Sequence, residues 1–260
     1  MKSIRAILLF VLSVSFVSCV MGVPEQKEPT QQDKVIAFVA SSYDEYSRLA
    51  NSIQKQDYIK EYETELGKIL DSIAILTNWS GKIKYIHQTE YKNSISLDFT
   101  IECPISQYRW LTLSCQHILK NTDKETDRIY KRVYSMRDNL PVVFDGFVRK
   151  KRNGSLYWRR SDEEDKISYP KLYCHVTDIA PGSQKDTISD NLYQACLLLF
   201  DTVNWLRKKD MKQITAAQYN KQTAGAKKAH EAAAAKLTKD EEDYYHLVMQ
   251  ELFDDYVYGE

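Results

Sequence analysis

Apolar positions follow two different periods along this chain, and the change between them divides it. From Val35 to about Leu76 they fall at Val39, Tyr43, Tyr46, Ala50 and Ile53, then at Ile59, Tyr62, Leu66, Ile69 and Ile73. Steps of three and four residues line one side of an amphipathic helix, so this segment is expected to be a long helix with one packing face. The polar stretch Gln54–Asp57 is the place where it could divide into two. After Asn78 the period becomes two: Ile95, Leu97, Phe99 and Ile101 alternate with polar residues, as in a strand with one face buried. Trp79–Ile86, Leu140–Val148, Ser155–Arg160 and Leu172–Ile179 read as further short strands. The less regular segment Trp110–Arg132 contains the apolar His117-Ile118-Leu119 and a charged stretch, NTDKETDR, that reads as an inserted loop or short helix. Asn153–Gly154 between two of the strands predicts a type I′ hairpin turn. About five short strands with such corners predict a small barrel or a strongly curved sheet.

The last third returns to helical spacing. Leu192, Cys196, Leu199, Phe200, Val203 and Leu206 form one stripe over Asn191–Leu206. Thr215–Lys236 is rich in Ala and Lys and has little apolar bulk, so it resembles a helical spacer. Thr238 and Glu241 have the spacing of a capping box that opens a final helix. That helix carries Tyr244, Leu247, Val248, Leu252, Phe253 and Tyr256, a face that either docks on the body or recruits a protein partner.

The N-terminus has the features of an export signal. Lys2 and Arg5 precede an apolar run from Ala6 to Val17, and small residues follow. The run is shorter than the roughly 20 residues that cross a bilayer, so residues 1–18 are expected to be a cleaved signal peptide and not a membrane span. Phe16-Val17-Ser18-Cys19 resembles a lipobox, with Phe16 where Leu is usual, which makes Cys19 the expected lipidation site. Ordinary cleavage after Val20-Met21-Gly22 is the alternative, and it would discard Cys19. Residues 19–34, containing PEQKEPTQQD, then read as a polar tether. The expected location is the cell envelope or periplasm, with a lipid membrane anchor.

Composition narrows the function classes. With 43% hydrophobic residues and only 8 Gly in 260, the chain can bury a sizeable core and is neither collagen-like nor low-complexity. Its 36 basic residues equal its 36 acidic ones; losing Lys2 and Arg5 with the leader leaves 34 against 36, a net charge of −2. A dedicated nucleic-acid binder would carry a basic excess, so nucleic acid is not an expected partner. Cys103, Cys115, Cys174 and Cys196 remain after either cleavage. In an oxidising compartment they would form two disulfides in one of three pairings; four buried free thiols are the alternative.

Three motifs carry a resemblance. Asn78-Trp79-Ser80-Gly81-Lys82-Ile83, directly after a helix, is similar to the N-W-x-G-x-[VI] opening of a group of uncharacterised bacterial exported or lipidated proteins with an OB-like barrel. Val143-Phe144-Asp145-Gly146-Phe147 resembles their V-x-F-x-G-x-[FV] strand, with one residue fewer before its first aromatic. Pro170–Ile179 resembles their closing P-x-[FY]-x-[FV]-x-[FV]-x-D-I strand. The likeness spans roughly Val35 to Ala180. It implies an OB-like barrel preceded by a helix and no catalytic residues; with the helical stripes after Pro181, which lie outside the likeness, the expected fold is α+β, a small OB-like barrel flanked by an N-terminal long helix and C-terminal helices. The expected division is a helix plus barrel over 35–180 and a helical region over 181–260.

Candidate chemistry is concentrated in one hairpin. Arg149, Lys150, Lys151, Arg152, Arg159 and Arg160 surround Tyr157 and Trp158. Cations that meet acidic groups and rings that stack on bases or sugars suit an anionic polymer or a glycan. Asp162-Glu163-Glu164-Asp165 just beyond would balance that charge if the hairpin only confers solubility. Cys115 with His117 and Cys174 with His175 lack a second close ligand pair, so no metal or other cofactor is expected. No GxSxG, GxGxxG or GxxxxGK[ST] occurs, and Asp145 and Asp178 read as turn or strand-end residues. The expected function is a non-catalytic binding or assembly module of the bacterial envelope. The alternatives are an anionic polymer or glycan binder acting through 149–160, and an envelope hydrolase with a dispersed site.

Overall fold

A computed structural model describes residues 28–159, 162–182 and 188–259. The expected leader, Cys19, most of the tether and Arg160 lie outside the described residues. Thr30 opens the first helix, α1 (Gln31–Ser47): its hydroxyl accepts from the Asp33 amide while the Asp33 carboxylate accepts from the Thr30 amide. Helix therefore begins inside the stretch expected to be tether. The break before α2 (Ser52–Ile73) falls at 48–51 and not at Gln54–Asp57. Asn51 causes it, because its side chain caps the Gln54 amide at 3.0 Å while Gln54 accepts from Ala50 in return. The two helices fold back on each other, stacking Phe38 on Tyr62 with ring centroids 5.7 Å apart.

Five strands follow: β1 (Leu76–Glu90), β2 (Ser94–Ser106), β3 (Arg109–Lys120), β4 (Pro141–Val148) and β5 (Lys171–Pro181). They close into a barrel in the order β1-β2-β3-β5-β4, antiparallel except where β3 meets β5. The short helix α3 (Arg128–Tyr134) lies between β3 and β4, which completes an OB-like arrangement. Closure needs long, bent strands. β1 shifts register at Asn78 and Tyr85, both at positive φ, and β4 bulges between Asp145 and Gly146. At Gly146 a Cβ would stand 2.3 Å from the His175 carbonyl, so the bulge admits only glycine.

Two expectations are corrected. Arg109–Lys120 is a full strand paired along β2, where the sequence suggested irregular structure. Of the expected strand Ser155–Arg160, the described residues 155–159 form no strand, only the bridges Lys150 to Leu156 and Trp158 to Leu172. The hairpin turn also differs from type I′, since only Gly154 has positive φ (84°). Asn153 instead caps the Ser155 amide at 2.9 Å, leaving a three-residue loop.

The barrel interior is filled by Trp79, Ile83, Leu97, Ile101, Leu111, Leu113 and Phe144, and α1 and α2 add Val39, Tyr62 and Leu66 to the same core. Burying each such side chain contributes about 1.5–3 kcal/mol. A second apolar layer lies outside β4. There Phe147 meets Cys196, Leu199 and Val203 of α5 (Asp190–Asp210) and Tyr245, Val248 and Leu252 of α7 (Lys239–Tyr258). α6 (Ala216–Ala234) folds back along α5 and buries none of its residues, so it does not hold modules apart as a spacer would. α7 starts at Thr238 with the expected capping box, and its apolar stripe docks on the body.

Candidate anion-binding groove

The basic hairpin belongs to the long connection from β4 to β5, and the fold divides its cations. Lys150 is buried and its ammonium bonds the Asp71 carboxylate of α2. Burial pushes the Lys150 pKa down, and Asp71 opposes this. Arg149 donates from Nε to Asp255 Oδ1 of α7 at 2.8 Å, with its guanidinium 5.5 Å from the Tyr157 ring. Arg159 donates to Ser114 Oγ at 3.1 Å, and Trp158 leans on Tyr62. Lys151 and Arg152 remain at the tip, where the Arg152 amide donates to the Gly259 carbonyl at 3.0 Å. The run expected to form one basic surface is thus partly spent on pinning the hairpin to α2, α7 and β3. Partners 79 and 106 residues away along the chain, invisible to local reading, account for the difference.

What the hairpin does form is one wall of a groove. A cavity of about 650 Å³ separates it from α2, with Lys60, Lys68, Lys150, Lys151 and Lys166 on its walls against Glu63 and Asp71. Leu156 and Trp158 supply apolar surface. Burial works against the Lys166 charge, but hydrogen bonds to Glu163 and Glu63 outweigh it and hold the ammonium pKa up. The Lys60–Asp57 and Lys68–Glu65 pairs are exposed, and such pairs bind their charges only weakly.

A second hollow of about 330 Å³ shares Asp71, Asn153, Gly154 and Gln213 with the first and extends along α5 to Asn204, Trp205 and Arg207. Asn204 donates to Asp71 at 3.1 Å. Arg207 is 3% exposed, and its Nη1 donates to Asn204 Oδ1 at 3.3 Å, whereas Nε and Nη2 have no hydrogen-bond partner among the described residues. Burial lowers its pKa, and the charges of Asp255 and Asp71 work the other way. Sequence reading missed Arg207, Asp71, Asn204 and Asp255. One signal was present: Arg207 lies four residues after Val203, on the stripe whose end was assigned to the half-buried Leu206.

Other candidate chemistry resolves into structural roles. His175 bonds Glu251 through Nδ1 at 3.0 Å and Asp255 through Nε2 at 3.2 Å, which leaves neither ring nitrogen for a substrate. Burial opposes its charge, yet the hydrogen bonds to Asp255 and Glu251 prevail and raise its pKa to about 9. Asp145 and Asp178 do meet, as opposite residues of β4 and β5. Asp145 accepts from the Asn78 amide, and Asp178 takes Arg128 and Arg132 of α3.

Cys103, Cys115, Cys174 and Cys196 are all buried free thiols, so neither of the two disulfides is formed. Cys115 stands opposite Cys174 inside the barrel, and His117 bonds Asp127 at 2.9 Å. Among the described residues no three His, Cys, Asp or Glu side chains converge to hold a metal ion, and no helix is long and apolar enough to cross a membrane. Compared with known proteins, the chain matches no family model, no curated protein and no solved structure.

Proposed function

We propose that this protein is a non-catalytic binding module of the bacterial envelope, anchored by a lipid on Cys19, whose groove between α2 and the 149–159 hairpin engages an acidic polymer or glycan. The observation that supports this reading is the groove itself: Lys150 and Lys166 are paired with Asp71 and Glu63, and Lys60, Lys68 and Lys151 remain on its walls with Trp158 and Leu156 beside them. The position fits, because OB barrels bind oligonucleotides and oligosaccharides partly through the loop between strands four and five. Near-zero net charge favours a local patch over a long-range field, so attraction acts within about a Debye length of the groove.

The test is retention on an anionic glycan column in increasing salt. Combined Lys60→Glu, Lys68→Glu and Lys151→Glu should elute the protein at markedly lower salt than the wild type; equal retention removes the reading. Crosslinking in native membranes followed by mass spectrometry checks the anchor: a lipid-modified Cys19 supports it, and a mature chain beginning after Gly22 overturns it.

A further inference from the structure

We propose that Arg207 is the receptor for a carboxylate, held side-on through Nε and Nη2 in the hollow along α5, and that the ligand is a carboxylate-bearing sugar of the uronate type. This rests on the groove reading above and names the chemical group it recognises. The two nitrogens without a partner lie on one edge of the guanidinium, and their parallel N–H bonds match the two oxygens of a carboxylate. Leaving such charged donors buried and unbonded is costly, so native structures rarely do it without a function or an occupant. Neither acid whose charge acts on Arg207 bonds these two nitrogens: Asp255 Oδ1 holds Arg149 and His175 while its Oδ2 has no hydrogen-bond partner among the described residues, and Asp71 Oδ1 holds Lys150 and Asn204.

The rest of the hollow suits a hydroxylated ring. Asn153, Asn204 and Gln213 offer amides for hydroxyls. Lys208, its ammonium 4.5 Å over the Trp205 ring, adds a second cation. Asp71 and Asp201 also line the space, and they repel a phosphate dianion more strongly than a carboxylate monoanion. The tip of the hairpin covers the site, with Gly154 placing a Cβ position only 4.0 Å from Arg207 Cδ. Both donors are closed to solvent, so binding of the sugar requires the Asn153–Gly154 tip to lift.

Titration calorimetry of the full chain with glucuronate, glucose and inorganic phosphate tests this. Glucuronate should bind, glucose and phosphate should bind at least tenfold more weakly, and Arg207→Lys, which keeps the charge but loses the fork, should weaken glucuronate at least tenfold. Equal binding of phosphate, or unchanged glucuronate affinity in Arg207→Lys, overturns the proposal. Nitrogen-15 spectra of the wild type provide a second reading that does not depend on the folding of the variant: glucuronate should shift the Arg207 Nε–H resonance, and an unmoved resonance overturns it. If the lysine variants lose polymer retention while glucuronate fails to bind the wild type, the groove reading stands and the Arg207 assignment falls. If glucuronate binds at Arg207 while the lysine variants keep full retention, the reverse holds.

Discussion

The barrel interior and the seam beneath α7 are held by opposite kinds of force. Inside the barrel the contacts are apolar and non-directional, with Trp79 meeting Phe144 edge-on and Leu97, Ile101 and Leu113 filling the space between. Under α7 a buried ionic cluster joins Arg149, His175, Glu251 and Asp255, bordered by Phe147 and Phe200. The first kind of packing tolerates pH and salt but not lost volume. The second fixes which helix face docks and in what register, and it depends on protons. One chain thus combines a scaffold stable to its conditions with a helix whose attachment is conditional.

Removing volume from the barrel should have the largest effect. Phe144→Ala, at a fully buried site, is expected to cost about 4 kcal/mol in denaturant unfolding, with the cost independent of pH. A comparable loss that varied with pH would break the contrast between the two regions.

Next in size is the pH response of the seam. The His175 pKa of about 9 lies above its ordinary 6.5, so its proton stabilises the folded chain fully below pH 6.5 and that contribution is lost as pH rises through 9. The shift corresponds to about 3 kcal/mol. Burial pushes the Glu251 carboxyl up, but hydrogen bonding to His175 wins and holds it below its ordinary 4.5; its contribution is present above that value and is lost as acidification passes the lowered one. Denaturation midpoints across this range should decline at both ends, and His175→Gln should flatten the alkaline decline. A persistent alkaline decline in that variant would place the titrating group elsewhere.

Smaller still is the entry to α7. Thr238→Ala removes an N-cap and should cost about 1 kcal/mol, with faster amide exchange confined to the first turn of that helix. The smallest effect is expected in the groove: Lys60→Ala and Lys68→Ala should change stability by less than about 0.5 kcal/mol, because both side chains are mostly solvated. Anion retention should fall in these same variants, which separates binding from folding.

The barrel was legible where its alternation was clean. Ile95, Leu97, Phe99 and Ile101 announced β2, and Thr238 with Glu241 announced α7, because both signals lie within a few residues of one another. β3 was obscured: its outward positions carry Trp110 and the exposed Ile118, so the apolar period blurs although Leu111, Leu113 and Cys115 point inward. The groove was half legible. Its lysines on the hairpin could be seen, but α2 as the facing wall is a tertiary fact, set by Asp71 reaching Lys150. Arg207 was hidden by company, because Arg207, Lys208 and Lys209 together read as cations at the C-terminus of a helix, where solvated charge is the usual outcome.

The four thiols have a practical consequence. Burial pushes the Cys103 and Cys115 thiols far up and Cys196 to about 12, so almost none of the thiolate that an alkylating reagent attacks is present while the chain is folded. Modification of Cys103 and Cys115 then keeps time with the opening of the barrel, and modification of Cys196 with the lifting of the outer helices. The molecule carries two clocks, and any difference between their rates would reveal which part comes apart first.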